Sequence, residues 1–250
     1  MAVQDVVFRL ALVPGVTPTG WLRTWSERLP DVRLELVRVA AGEQFAALRD
    51  GRAEAGLLRW PAAGAGDDLS AIPLFTESTV VVVPRDHLLT ALDEVAADEL
   101  TDEVLLVPLD DVLGWADPPG RPAVGDPPGT TAEAVELVAA GVGLLVVPQS
   151  LARLHHRKDL TYLPMTDAPT SGVALVWPTD RQGDLVEELI GIVRGRTVNS
   201  SRGRGAASSA PDPSTAGATP RRPVTGRPAP RRAGTRRAGG SASGGRRTGR

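Results

Sequence analysis

The stretch AVELVAAGVGLLVVPQSLA (134–152) places a helix, a glycine stop, a strand and a proline step in immediate succession. Val135 and Val138 stand three residues apart, on one helical face. Just upstream, Thr130-x-x-Glu133 forms a capping box, in which the threonine hydroxyl and the glutamate side chain satisfy free N–H groups of the first turn. Gly141 stops the helix, and LLVVP (144–148) then reads as a strand, with a short helix after it over 151–155.

The same alternation extends in both directions. VVFRLALV (6–13) suits a largely buried strand interrupted by one arginine. Pro14, Gly15 and Pro18 mark a turn, and Thr17 before Pro18 reads as an N-cap followed by proline at the first helical position. A helix through Trp21, Leu22 and Trp25 follows, and VRLELVRV (32–39) alternates apolar and charged residues as a strand with one wet face. Residues 43–49 make a short helix with Phe45 and Leu48 inward and Gly51 as its stop, and 55–58 a short buried strand. STVVVVPR (78–85) is a β-branched strand, 93–100 reads as a helix and 104–107 as a strand. GWADPPGRPAVGDPPG (114–129) is too rich in proline and glycine for regular structure. VALVW (173–177) is the last strand, and Asp184-x-x-Glu187 caps a helix whose Val186, Leu189, Ile190 and Val193 share one face. Strand alternating with helix implies α/β sheets with parallel crossovers.

The 250 residues contain no cysteine, which removes disulfides, thiolate metal sites and a cysteine nucleophile. The N-terminus has neither a basic region nor an apolar signal core, and no segment has the ~18 uncharged apolar residues of a membrane helix. A cytoplasmic protein is expected. The net charge of −2 conceals a division: residues 197–250 hold twelve arginines and one acid, giving +11, and the preceding body carries −13. An acidic body joined to a basic tail points to a tail with its own partner.

Three segments together resemble the effector-binding (substrate-binding) domain of LysR-type transcriptional regulators: LRTWSERLPDVRLELV (22–37), ALRDGRAEAGLL (47–58) with LSAIPLFTESTVVVVPRDHLL (69–89), and AVELVAAGVGLLVVPQSLA (134–152). Their order matches over roughly 6–196. The departures are the absence of room for an N-terminal winged helix-turn-helix, a shortened first helix, Glu54 in place of the usual Asp, and a trimmed second lobe around 110–130. The resemblance implies a two-lobed fold like type 2 periplasmic binding proteins, with crossover strands as hinge. Lobe I would comprise 1–76 and 164–196, lobe II 77–163, and 197–250 a tail. It also implies a small-molecule effector in the cleft and a side-by-side homodimer.

On that frame the candidate ligand contacts are Thr17, Thr19, Arg59, Trp60, Thr76, Ser78, Thr130, Thr131, Pro148 and Gln149. Thr17 and Thr19 sit where free helix N–H groups and hydroxyls could hold an anionic group, a role compatible with capping. Thr130 and Thr131 are their counterparts in lobe II. Arg59 would pair a ligand carboxylate, with Trp60 as an apolar wall, unless both are merely surface and core-edge residues. Thr76, Glu77 and Ser78 would lie on the first crossover, and Val147, Pro148 and Gln149 on the second.

No metal or cofactor is expected. His155 and His156 are adjacent, do not share a helix face and lack a third ligand, so they read as a solvated helix terminus; His87 reads as a surface residue. There is no G-x-S-x-G elbow, no phosphate loop and no dinucleotide fingerprint, and enzymatic activity is not expected. The tail lacks aromatic residues, Leu, Ile and Met, and so should be disordered. Arg221, Arg222, Arg227, Arg231, Arg232, Arg236 and Arg237 form a polycation suited to salt-dependent, sequence-blind nucleic-acid binding. Gly226-Arg227-Pro228 is similar to the centre of an AT-hook, without its flanking arginine.

Two readings follow. The chain is a ligand sensor related to transcription, binding a small anionic effector between its lobes. Alternatively, it is a dimeric scaffold with a degenerate cleft, and the tail is an architectural DNA- or RNA-binding element, unless that tail serves as solubilising extension or counter-charge.

Overall fold

The computed structural model describes residues 6–196, so the arginine-rich segment and its candidate nucleic-acid contacts lie outside the described residues. The chain opens as strand β1 (Val6–Leu12), helix α1 (Thr19–Arg28), strand β2 (Val32–Arg38), helix α2 (Gln44–Arg49) and strand β3 (Ala55–Arg59). β1 lies between β2 and β3, parallel to both. This is the outcome when each strand returns through a helix.

Strand β4 (Leu69–Glu77) then joins this sheet, and strand β5 (Thr79–Pro84) begins a second one. The second sheet gains β6 (Val104–Leu106), β7 (Arg121–Pro122), β8 (Leu144–Pro148) and β9 (Leu160–Pro164), with helices α3 (Thr131–Ala139) and α4 (Gln149–Leu154) between them. The chain returns to the first sheet as β10 (Ser171–Pro178) and ends in helix α5 (Asp184–Val193). The sheet orders are β2-β1-β3-β10-β4 and β7-β6-β8-β5-β9. The fold is therefore α/β and two-lobed, with the chain passing between sheets at Ser78 and again over 165–170. Among the described residues no helix is long and apolar enough to cross a membrane.

Both faces of each sheet are covered. On one face of the first sheet Phe8, Leu10 and Leu12 pack with Trp25 of α1 and with Val186, Leu189 and Ile190 of α5. On the other, Ala11 and Val13 meet Phe45 and Leu48 of α2. In the second sheet Val80 and Val82 face α3 and α4, while Val81 and Val83 face Leu89, Val95 and Leu100. A strand buried on both faces cannot alternate polar with apolar residues, which explains the unbroken valine run. Each such side chain contributes about 1.5–3 kcal/mol by leaving water.

Several local expectations change. Thr17 does not cap α1: the Trp21 and Leu22 N–H groups both donate to the Pro18 carbonyl, so the first turn closes on the proline and Thr17 stays outside, exposed. Asp184 is the first residue of α5, not its cap, and Gly183 holds the cap position. Its partner Glu187 accepts instead from the Gln182 side chain. In the Thr130 box the hydroxyl accepts from the Glu133 N–H at 3.2 Å, but the glutamate reaches Gly129 N, one residue early. The helix expected over 93–100 shrinks to a 3-10 turn, Ala97–Leu100, because Val95 is committed to a bridge with Met165. His87 is not a bare surface residue: its Nδ1 accepts from Leu89 N, capping a 3-10 turn, and its Nε2 lies 3.5 Å from Glu103.

Candidate functional site

The C-terminal ends of β1, β2 and β3 and the N-terminal end of α3 face each other across the gap between sheets. They enclose a cavity of about 430 Å³. Lobe I contributes Leu12, Val13 and Pro14 at the end of β1, Arg38 to Ala41 at the end of β2, and Arg59 at the end of β3. Lobe II contributes Asp110 and Val112 after β6, Thr130 to Ala132 at the start of α3, Leu151 and Leu154 of α4, and His155 at its C-cap. Parallel strands ending together create such a crevice without any special sequence. The walls are mostly aliphatic, with a few convergent polar groups, which is the chemistry of a small-molecule site.

Arg59 is the best-anchored polar residue of the cleft. Its side chain is 4 % exposed, and its guanidinium meets Glu77, itself 10 % exposed, at 2.5 Å. The same nitrogen donates to Ser171 Oγ at 3.3 Å; the other terminal nitrogen donates to the Pro14 carbonyl at 3.1 Å and to Ser150 Oγ at 3.4 Å. Ser150 in turn donates to Glu77 at 2.9 Å. The backbone N–H of Arg59 is held by buried Gln44 at 2.8 Å. One cation thus joins β3, the β1–α1 loop, both passages between sheets and the first turn of α4. The loop approaches so closely that a Cβ on Gly15 would stand 2.4 Å from Ser150 Oγ, and its φ of +86° also favours glycine.

On the opposite wall Thr131 is buried and donates to Asp110 Oδ1 at 2.9 Å. Thr130 is occupied as the cap of α3, and both threonines line the cavity. Trp60 does not form a wall of this cavity. It packs edge-on against Phe45 with ring centroids 6.1 Å apart, and its carbonyl sits where a Cβ on Gly172 would come within 2.1 Å. Thr76 and Ser78 are exposed on the first passage and Thr19 is exposed on α1; none of the three lines the cavity. Thr17 lines an adjoining hollow of about 470 Å³, which shares Leu12, Arg38 and Leu154 with the cavity.

Pro148 and Gln149 require a correction. They are not on a second crossover but at the β8–α4 junction, inside one lobe. Antiparallel pairing of Thr79 with Pro148 brings them beside the first passage, where Gln149 N donates to the Ser78 carbonyl at 2.9 Å. The true return runs over 165–170, and Thr79 Oγ1 ties it by donating to the Pro169 carbonyl at 2.5 Å.

His155 ends α4 and lines both the cavity and a separate hollow of about 400 Å³ with Arg85, His156, Arg157 and Tyr162, whereas His156 lines only the latter. Beside them Arg157 pairs with Asp159 and Glu136, and its hydrogen bonds hold the Asp159 carboxyl below the usual carboxylate range. Among the described residues no three His, Asp or Glu side chains are grouped to hold a metal.

Sequence reasoning missed Ser150, Ser171, Asp110 and the Pro14 carbonyl, which no local pattern marks. Arg38 was legible in principle, because it ends a parallel strand as Arg59 does. It is exposed at the cavity's edge and has no ion-pair partner among the described residues.

The family model for the LysR substrate binding domain matches residues 7–197. Among curated proteins, a probable hydrogen peroxide-inducible genes activator of Mycobacterium avium is 29% identical over 199 residues, covering 74% of this chain and 63% of that protein. The Hca operon transcriptional activator HcaR of Escherichia coli K12 is 26% identical over 200 residues, covering 75% and 64%. The chain therefore spans less than two thirds of these relatives. Among solved structures, the BenM effector binding domain with its effector benzoate superposes with a TM-score of 0.64 at 21% identity, over 82% of this chain and 96% of that one. The reduced OxyR regulatory domain from Pseudomonas aeruginosa gives 0.57 at 21%, over 76% and 95%. At these identities the superpositions establish the fold.

Proposed function

We propose, from the premise that this chain belongs to the LysR substrate-binding domain family, that it senses a small molecule in the cavity between its lobes and serves transcription regulation rather than catalysis. The observation that carries this reading is the cavity of about 430 Å³, walled by both lobes and lined mainly by aliphatic side chains. A ligand touching both walls favours the closed arrangement of 6–77 with 171–196 against 79–164, by its difference in affinity for the two arrangements. The protein works as a homodimer in the cytoplasm. An anionic ligand group is met by Arg38 at the cavity's edge, the cation there without a carboxylate partner among the described residues.

The test is a thermal-shift screen of small aromatic and aliphatic acids, amides and alcohols, followed by titration of the hits. Ala132 is exposed on the first turn of α3 and lines the cavity. Ala132→Trp should leave folding within about 0.5 kcal/mol while weakening a hit by about 100-fold, or about 2.8 kcal/mol. Undiminished binding in that variant would place the ligand elsewhere.

The arginine-rich segment provides a second, separable contact: non-specific anchoring on nucleic acid. Twelve arginines against one acid support it. If six to ten of them neutralise phosphates, affinity should fall about 10³–10⁵-fold between ~50 and ~200 mM salt. A gel shift of the full chain and of a truncation at Thr197 measures this, and absence of a shift for the full chain at low salt removes the claim.

A further inference from the structure

Positive potential reaches the cleft at two points, the buried Arg59 and the N-terminus of α3, and the chain has already placed a carboxylate on each. On Arg59 stands Glu77, at 2.5 Å and fixed by Ser150 at 2.9 Å. At the N-terminus of α3, Asp110 accepts from the Thr131 hydroxyl at 2.9 Å and Glu133 accepts from Gly129 N at 2.8 Å. A ligand carboxylate delivered to either point would stand beside a like charge, and at Arg59 and Glu77, with side chains 4 % and 10 % exposed, that repulsion is weakly screened.

The donors of Arg59 lead to the same conclusion. A guanidinium has five N–H groups, and four are spent: two on Glu77 and Ser171, two on Pro14 and Ser150. Among the described residues nothing accepts from its Nε–H, yet no buried side-chain nitrogen or oxygen is left without a partner, so that donor keeps access to solvent on a residue that lines the cavity. A single N–H cannot form the two-bond fork by which arginine grips a carboxylate, but it suits one carbonyl or hydroxyl oxygen.

We propose that Glu77 is a resident carboxylate on Arg59, and that the ligand of this cleft offers Arg59 an uncharged hydrogen-bond acceptor in place of a carboxylate. This rests on reading the cavity as the ligand site. Negative charge on the ligand is confined to the edge, at Arg38. The inner walls, Leu12, Val13, Val39, Val112 and Leu151, select an apolar body.

Removing the resident carboxylate exposes the site to a small anion, so the experiment uses acetate and its neutral counterpart acetamide. Glu77→Ala should melt well below the parent, and acetate at about ten times its Kd should raise that melting temperature by about 3 °C or more, with acetamide and equal chloride inactive. The parent should gain less than about 1 °C. Glu77→Ser, which also removes the charge and vacates the space beside Arg59, should likewise become acetate-responsive, and it decides the matter if the alanine variant does not fold. Acetate stabilising the parent as much as the variants, or stabilising neither variant, overturns the proposal. Because Arg38 is the same in the parent and the variants, an acetate response gained only by the Glu77 variants reports on the Arg59 subsite, and its result is independent of whether the ligand screen and Ala132→Trp support the wider reading.

Discussion

Arg59→Ala is expected to lose about 3–5 kcal/mol of folding stability, because Glu77 would remain as a buried carboxylate without its cation. The ion pair has little solvent to screen it, with side chains 4 % and 10 % exposed. The serine and carbonyl contacts from Ser150, Ser171 and Pro14 would be lost as well. The combined Arg59→Met, Glu77→Leu variant should recover most of the deficit, since an apolar pair of similar volume avoids the desolvation cost of both charges. Urea titration followed by circular dichroism measures all three proteins. A single-variant loss under about 1 kcal/mol would show that water reaches Glu77 and that the pair is effectively a surface one. A double variant as weak as the single one would instead assign the cost to the surrounding hydrogen bonds.

Trp25→Ala should cost a comparable 3–5 kcal/mol, roughly the penalty for emptying a large aromatic site in a packed core. Trp25 is 1 % exposed, lies 4.8 Å from the Phe8 ring and packs in the same cluster as Leu189 and Ile190. Its indole N–H also donates to the Val32 carbonyl at 3.0 Å, fastening α1 to the start of β2. Trp25→Phe keeps most of the apolar volume and loses that bond, so a smaller loss of about 1–2 kcal/mol is expected. The same urea titration checks both. Equal losses in the two variants would mean that the hydrogen bond, rather than the ring volume, holds the helix in place.

Much of the architecture was legible because burial leaves a local trace. The valine run before Pro84, the spacing of Val186, Leu189 and Ile190, and Gly51 with its φ of +69° behave as their neighbours in sequence predict. The errors fall where a distant partner decides the outcome. Val95 leaves its helix for a bridge to Met165, and Pro148 faces Ser78 and Thr79 because two strands pair antiparallel. Thr17 fails as a cap for a closer reason: a proline carbonyl can close the first turn itself.

The sequence by itself determined the alternation of strands and helices, the apolar faces of those elements and the charge division between body and tail, since each depends on spacing or composition along the chain; the two-lobed arrangement came from the family resemblance. It also placed Arg59 at a strand end facing the cleft. Only the tertiary structure decided what that arginine can do. Ser150 and Glu77 are 73 residues apart and Arg59 and Ser171 are 112 apart. Hydrogen-bond capacity is spent through such contacts, so whether a buried cation is free for a ligand or already held by the chain's own carboxylate is a property of the folded packing alone.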